Sequence, residues 1–188
     1  MRDLSLHLMD IVQNSIRAKA KLVNIRMELN SKDILTMTVE DDGVGMDPEL
    51  LERVQNPFAT TRTERKVGLG LALLTENAQR TGGSVQINST PGKGTTVTAI
   101  FYTDHIDCLP VGNIVETLLA LILACPDGPE FTFHLTAPAG EASLDTRVIR
   151  EALMGLSLNE PEVLSWIGRS LREETQPIFG GIRYEIHR

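Results

Sequence analysis

Hydrophobic positions in the first half of the chain follow two periods, one typical of helices and one typical of strands. Leu4, Leu8, Ile11 and Val12 share a helical face, whereas residues 34–40 alternate as a strand does. The predicted elements, in chain order, are a helix over 3–18, strands over 24–29 and 34–40, a short helix starting at Asp47, a helix over 70–81, and strands over 85–87 and 95–102. This order predicts an α+β fold, a two-layer sandwich of helices over a mostly antiparallel sheet.

The pattern changes after about residue 104. The predicted elements there are a buried helix over 110–125, a strand over 131–135, a helix from the cap Asp145 to about 155 and a helix over 159–174 with an apolar face of Val163, Trp166, Ile167 and Leu171. We therefore predict two domains, residues 1–103 and a small C-terminal α/β unit over 104–188. We expect the second domain to be a partner-binding or regulatory region.

Two glycine segments carry the candidate chemistry. Residues 41–46 (DDGVGM) follow directly on a predicted strand, and glycine there lets the backbone approach a flat ligand closely. Residues 67–71 (VGLGL) open a predicted helix, whose free backbone N–H groups suit phosphate. A base-binding segment and a phosphate-binding segment together predict a nucleotide site.

Composition and charge narrow the function classes. The net charge of -7 argues against a general nucleic-acid-binding role. The two cysteines, Cys108 and Cys125, lack metal-ligand spacing. We recognise no signal peptide, and the longest apolar run, 117–125, is too short to span a bilayer. We expect a cytoplasmic protein with neither nucleic-acid nor membrane partners.

The order of motifs over about residues 4–102 resembles the GHKL ATPase superfamily, which includes gyrase B, the large heat-shock chaperone, histidine kinases and MutL. Residues 56–62 (NPFATTR), 68–71 (GLGL) and 90–96 (TPGKGTT) resemble sensor histidine kinase catalytic domains, and 11–20 (IVQNSIRAKA) resembles MutL. The part from His105 onward resembles stand-alone ATPases of anaerobic bacteria, some linked to iron hydrogenase systems. The resemblance implies a Bergerat-type ATP-binding fold, ATP and Mg²⁺ as cofactors, and an unidentified protein partner of redox or regulatory type.

Asp10 and Asn14 lie four residues apart and so share one helix face. By resemblance, Asn14 supplies the protein ligand to Mg²⁺, which keeps waters and needs few protein groups. Asp10 falls where hydrolysing members carry a glutamate general base and many kinases carry asparagine. The aspartate keeps the carboxylate with a shorter reach. One turn earlier lies His7, for which a structural role is favoured over that of a phosphoryl acceptor.

The resemblance implies that Asp41 accepts a hydrogen bond from the adenine amine, a group that guanine lacks at that position. Gly43 and Gly45 would give the base room, Met46 would pack on its face, and Thr95 would bond it directly or through water. We predict that residues 57–67 form a mobile lid. The remaining binding residues are Thr61, Arg62 and Lys66 in the lid, and Gly68, Leu69, Gly70 and Leu71, whose segment presents amides to the phosphates.

Three functions fit these residues. The first is an ATP-dependent switch with slow hydrolysis. The second is a protein kinase acting in trans, histidine kinase-like or anti-sigma-like serine kinase in type, and the third is a nucleotide-responsive binding module without turnover. The carboxylate of Asp10 favours hydrolysis, because an amide at that position would favour the other two.

Overall fold

The computed structural model describes residues 1–55 and 69–179, the side chains of Leu69 and Phe179 excepted. The helices are α1 (Leu4–Arg17), α2 (Pro48–Gln55), α3 (Leu69–Arg80), α4 (Ile114–Ala124), α5 (Thr146–Ala152) and α6 (Pro161–Phe179). The strands are β1 (Leu22–Leu29), β2 (Ile34–Asp41), β3 (Ser84–Thr90), β4 (Gly94–Tyr102), β5 (Glu130–Ala137) and β6 (Gly140–Asp145). The predicted elements of residues 3–55 and 70–102 are all present, with ends shifted by a few residues at most.

The strands form one sheet in the order β3-β4-β2-β1-β5-β6. Neighbours pair antiparallel except β1 and β5, which run parallel. The sheet therefore continues across residue 103, because the segment that follows adds two strands beside β1. The division of the chain into two domains at that point stays a prediction.

One face of the sheet is buried and the other is polar. Ile25, Val39, Val97, Phe133 and Leu144 lie in register across five strands, and all are buried. On the opposite face, Arg26 of β1 forms a 2.8 Å ion pair with Glu40 of β2. Because helices of the described part of the chain pack against this buried face, the fold is a two-layer α/β sandwich with a mostly antiparallel sheet, which confirms the predicted fold class.

The start of α1 is bonded to the segment that leads into α4. Asp3 caps the helix by accepting a hydrogen bond from the Leu6 amide at 2.9 Å. The amides of Leu4 and Ser5, which have no partner within the helix, donate to the carbonyls of Pro110 and Val111, each at 2.9 Å. We call residues 110–111 the α1 strap.

The C-terminal part differs from the sequence prediction in one omitted strand and in two details that were wrong. β6 was missed, because only its antiparallel pairing with β5 makes a strand of GEASLD. The fourth helix starts at Ile114 and not at 110, since Asn113 caps it and the preceding residues form the strap. Trp166 is 57% exposed and lies beside, not within, the buried face of α6, which runs through Val163, Ile167 and Leu171. Within the described ranges, no helix combines the length and the hydropathy needed to cross a bilayer.

Candidate functional site

A cavity of about 440 Å³ lies between the second half of α1, the end of β2, the start of β4, one side of α2 and the start of α3. This volume falls in the range of small-molecule sites, about 300–1,000 Å³. Ile11, Val39, Leu50, Val54 and Val97 give it apolar walls. The predicted site residues that line it are Asp10, Asn14, Asp41, Gly45, Met46, Gly70, Leu71 and Thr95.

The other predicted site residues have different positions. Gly43 is buried beside the cavity but does not line it. Leu69 is the first residue of α3. Thr61, Arg62, Lys66 and Gly68 lie outside the described residues, as does the predicted lid over 57–67.

Asp41 is held in a fixed orientation at the end of β2. It is 8% exposed, and Ser15 of α1 donates a hydrogen bond from Oγ to its Oδ2 at 2.7 Å. The Gly43 amide donates to the other carboxylate oxygen, Oδ1, at 2.9 Å. Because each carboxylate oxygen has about two acceptor positions, Asp41 can still accept from a ligand in the cavity.

The glycines of the 43–45 loop are required by the packing of the protein itself. Gly45 has φ +67°, and a Cβ there would overlap the carbonyl of Thr90. A Cβ at position 43 would lie 2.8 Å from the Ala18 carbonyl oxygen. The packing of the protein itself therefore requires glycine at both positions, and their role in giving a base room stays a prediction. They let the loop pass closely against α1 and the turn after β3.

Thr95 lies opposite Asp41 in the β2–β4 register and belongs to a small hydroxyl network. Its Oγ1 lies 2.8 Å from Oγ of Ser89, and that same Oγ accepts a hydrogen bond from the Met46 amide at 2.8 Å. Ser89 thus ties the backbone of Met46 to the side chain of Thr95. This fixes two cavity-lining residues from different segments relative to each other.

Asp10 lies against the start of α3. A Cβ at position 70 would overlap the Asp10 carboxylate where it now lies, so glycine leaves room for this side chain over the start of α3. The first amides of a helix have no partners within that helix. A carboxylate and the free N–H groups of a helix start therefore come together at one side of the cavity.

Asn14 is exposed at the cavity, and its Oδ1 accepts a 3.2 Å hydrogen bond from Nη1 of Arg17. Among the described residues no three His, Cys, Asp or Glu side chains cluster to hold a metal ion on their own. The amide oxygen of Asn14 nevertheless fits Mg²⁺, which binds through one or two protein oxygens together with phosphates and waters. Binding of Mg²⁺ to Oδ1 of Asn14 requires the Arg17 guanidinium to move away from that atom, because the two cations repel each other.

Sequence reasoning missed Ser15 and Arg17, which both line the cavity. Arg17 was detectable, because it lies three residues after Asn14 and so near the same face of α1. The role of Ser15 had no local signal, since its partner Asp41 is 26 positions away along the chain.

His7 lies inside the protein, where α1 meets α3. It is 1% exposed, and its Nε2 lies 2.8 Å from Nδ2 of Asn77 in α3. Burial and, secondarily, the charge of the chain N-terminus lower the pKa of His7 to about 4, while Asp3 opposes the shift. The ring is thus neutral near pH 7, and its burial leaves no access for phosphoryl transfer.

The chain matches the family described as histidine kinase-, DNA gyrase B-, and HSP90-like ATPase over residues 2–105. It is 38% identical over 109 residues to the sensor protein kinase FleS of Pseudomonas aeruginosa, covering 57% of this chain and 26% of that protein. It is 32% identical over 93 residues to the sensor histidine kinase ZraS of Salmonella typhimurium, covering 48% of this chain and 20% of that protein. The chain thus spans about a quarter or less of the length of these relatives.

A histidine kinase domain from the blue-light activated histidine kinase of Erythrobacter litoralis EL346 matches 43% of this chain and 31% of its own chain, with a TM-score of 0.30 and 24% identity. The family match rests on the sequence and includes every described residue of the cavity. Membership of this family implies ATP binding. Because the match covers more than half of its residues, the chain belongs to the histidine kinase-, DNA gyrase B-, and HSP90-like ATPase family.

Proposed function

We propose that this chain binds ATP with Mg²⁺ in the described cavity and acts as an ATP-dependent switch that hydrolyses ATP slowly. The observation that carries the proposal is the carboxylate of Asp41, buried and held by Ser15 and Gly43, at a cavity with apolar walls. A fixed buried acceptor facing an apolar slot suits the adenine amine. It disfavours guanine, which presents a carbonyl there and would leave the carboxylate without a donor.

The acidic side chains of the cavity indicate that a polyphosphate bound there needs cations. Among the described lining residues, Asp10 and Asp41 are acidic and Arg17 alone is basic. A polyphosphate placed there needs further positive charge. We propose that Mg²⁺, held through Asn14, supplies part of this charge and that Arg62 and Lys66 supply the rest, while the hydroxyl of Thr61 donates a hydrogen bond to a phosphate oxygen. The amides of residues 68–71 would hold the phosphates in this arrangement.

We propose that Asp10 is the general base. Its carboxylate lies over Gly70, at the helix start where the phosphates would bind. A water between Asp10 and the terminal phosphate would lose its proton to Oδ2 as its oxygen bonds to the γ-phosphorus, while the bond from that phosphorus to the bridging oxygen breaks and ADP leaves. The side chain is one methylene shorter than glutamate, so we expect turnover well below the typical enzyme rate of about 10 s⁻¹.

The switch needs a path from the nucleotide to a partner. Helix α1 carries Asp10 and Asn14, and its first turn donates two hydrogen bonds to the α1 strap. The strap leads directly into α4. A displacement of α1 on ATP binding would therefore be passed to α4, so residues 104–188 would report the nucleotide state to a partner protein.

The turnover test uses ATP labelled on the γ-phosphate and the variant Asp10→Asn. We expect slow phosphate release by the unchanged protein, release reduced at least about tenfold in the variant, and nearly unchanged ATP affinity. Asp104→Asn is the matched control, since Asp104 is exposed and does not line the cavity. Equal phosphate release by the Asp10→Asn variant would show that Asp10 is not the base.

The second candidate is a protein kinase acting in trans, and the names of the relatives FleS and ZraS favour it. The same labelled ATP separates the candidates when it is incubated with and without candidate partner proteins. Label transferred to a partner indicates the kinase, and label released as phosphate indicates the hydrolysing switch. ATP binding with neither result indicates a nucleotide-responsive binding module.

Hydrogen exchange in the nucleotide-free, ADP and non-hydrolysable ATP analogue states tests the switch itself. We expect the analogue, more than ADP, to protect residues 57–67 and to change exchange in the strap and α4, because Arg62 or Lys66 would contact the γ-phosphate. Identical exchange in the ADP and analogue states would contradict a γ-phosphate switch.

A further inference from the structure

The contact between α1 and α3 contains a polar pair that the proposed chemistry does not use. Nε2 of His7 and Nδ2 of Asn77 lie 2.8 Å apart. Since Asn77 donates, the neutral ring accepts at Nε2 and carries its proton on Nδ1. Nδ1 is buried and has no hydrogen-bond partner among the described residues.

This arrangement is unfavourable for stability alone. A buried polar atom without a partner destabilises the folded state, and an apolar pair of similar volume would fill the same space without that cost. The polar pair differs from an apolar pair in its geometric specificity, because a hydrogen bond fixes the distance and angle of its two groups more narrowly than apolar packing does. A hydrogen bond between α1 and α3 therefore restrains how the two helices can lie against each other.

The same two helices carry the two sides of the site. His7 precedes Asp10 by one turn on α1, and Asn77 follows Gly70 by two turns on α3. The Asp10 carboxylate lies over Gly70, so the helices run in opposite directions across this contact. Any shift or rotation of α3 along α1 would change the separation of Asp10 and Asn14 from the first amides of α3.

We propose that His7 and Asn77 are positioning residues, whose hydrogen bond sets α1 against the start of α3 and thereby the spacing of the groups that take the phosphates of ATP. The proposal rests on the proposed function only for the identity of the ligand. The helix geometry that it describes exists without nucleotide.

The experiment uses His7→Leu and Asn77→Leu, which remove the hydrogen bond and keep apolar volume, and His7→Gln, whose amide oxygen can accept from Asn77 in place of Nε2. Calorimetry measures affinity for ATP with Mg²⁺, for ADP and for adenosine. We expect both leucine variants to lose at least about tenfold in ATP affinity, about 1.4 kcal/mol, and less for ADP. Adenosine affinity should stay within about twofold, and His7→Gln should restore ATP affinity.

Hydrogen exchange of residues 69–77 in nucleotide-free protein is the second measurement. We expect faster exchange in the first turns of α3 for the leucine variants, and exchange like that of the unchanged protein for His7→Gln. This measurement needs no nucleotide, so it still tests the positioning role if the unchanged protein binds no ATP. Absence of ATP binding would reject the proposed function and leave the positioning role to the exchange result.

Three outcomes would overturn the positioning role. One is ATP affinity and α3 exchange in the leucine variants equal to those of the unchanged protein. Another is a parallel loss of ATP and adenosine affinity, which indicates general damage to the fold. The third is failure of the half-buried Asn77→Leu variant to fold, because that result assigns the pair to folding and not to positioning.

Discussion

Burial of His7 makes the stability of this protein depend on pH between about 4 and 6.5. The pKa of His7 is lowered from 6.5 to about 4, chiefly because burial disfavours the charged ring. The unfolded chain therefore binds a proton over this range that the folded protein does not. Stability from this group is complete above pH 6.5 and is lost as the pH falls toward 4.

The size of the effect follows from the shift. Each pKa unit corresponds to about 1.36 kcal/mol, so the shift of His7 amounts to about 3 kcal/mol once the pH reaches 4. That is a large part of the roughly 5–15 kcal/mol by which domains are stable. The variant His7→Gln keeps an acceptor for Asn77 and removes the titrating ring.

Urea unfolding of the unchanged protein and of His7→Gln, followed by circular dichroism from pH 7.5 to 4.5, measures the effect. We expect the unfolding free energy of the unchanged protein to fall by about 2–3 kcal/mol more than that of the variant over this range. The pH-dependent contributions of the ionisable groups that both proteins share cancel when the two changes in unfolding free energy are subtracted. His134→Gln, at an exposed histidine of β5, is the control and should follow the unchanged protein. Parallel curves for the unchanged protein and His7→Gln would refute the reasoning.

Two further predictions concern the cavity. Asp41→Asn should weaken ATP binding by about 2 kcal/mol or more, because the NH₂ group of the introduced asparagine is a donor that faces the donor amine of adenine. Ser15→Ala should weaken ATP binding by about 1 kcal/mol, because the hydrogen bond that orients Asp41 is lost. Calorimetry with ATP and GTP measures both, and equal affinity of the unchanged protein for the two nucleotides would reject the adenine assignment. Gly45→Ala should destabilise the protein by about 1–3 kcal/mol more than Gly92→Ala in urea unfolding. Both glycines have positive φ, but of the two positions only a Cβ at 45 would meet the Thr90 carbonyl. An equal loss of unfolding free energy in the two variants would show that the structure relaxes this overlap at no cost.

The elements of the first half of the chain were predictable because their signals are local. Asp3 caps α1 as expected, since a cap depends on a side chain and amides two or three residues away, and for the same reason the cap Asp145 was predictable in the second half of the chain. The glycine motifs likewise placed Asp41 and Gly70 at a strand end and a helix start. Periodicity, caps and motif order were therefore enough to assign the two-layer fold and the family.

The tertiary structure decided what depends on partners distant along the chain. β6 is a strand because β5 lies beside it, and Trp166 is exposed because the contacts of α6 select another face of that helix. Ser15 orients Asp41, and Asp10 lies over Gly70, only because α1 crosses the ends of β2 and α3. A local pattern specifies which side chains share a face of one element. The contacts of that face come from packing energies summed over the whole chain, and they bring Asp10, Asp41 and Gly70 to one cavity.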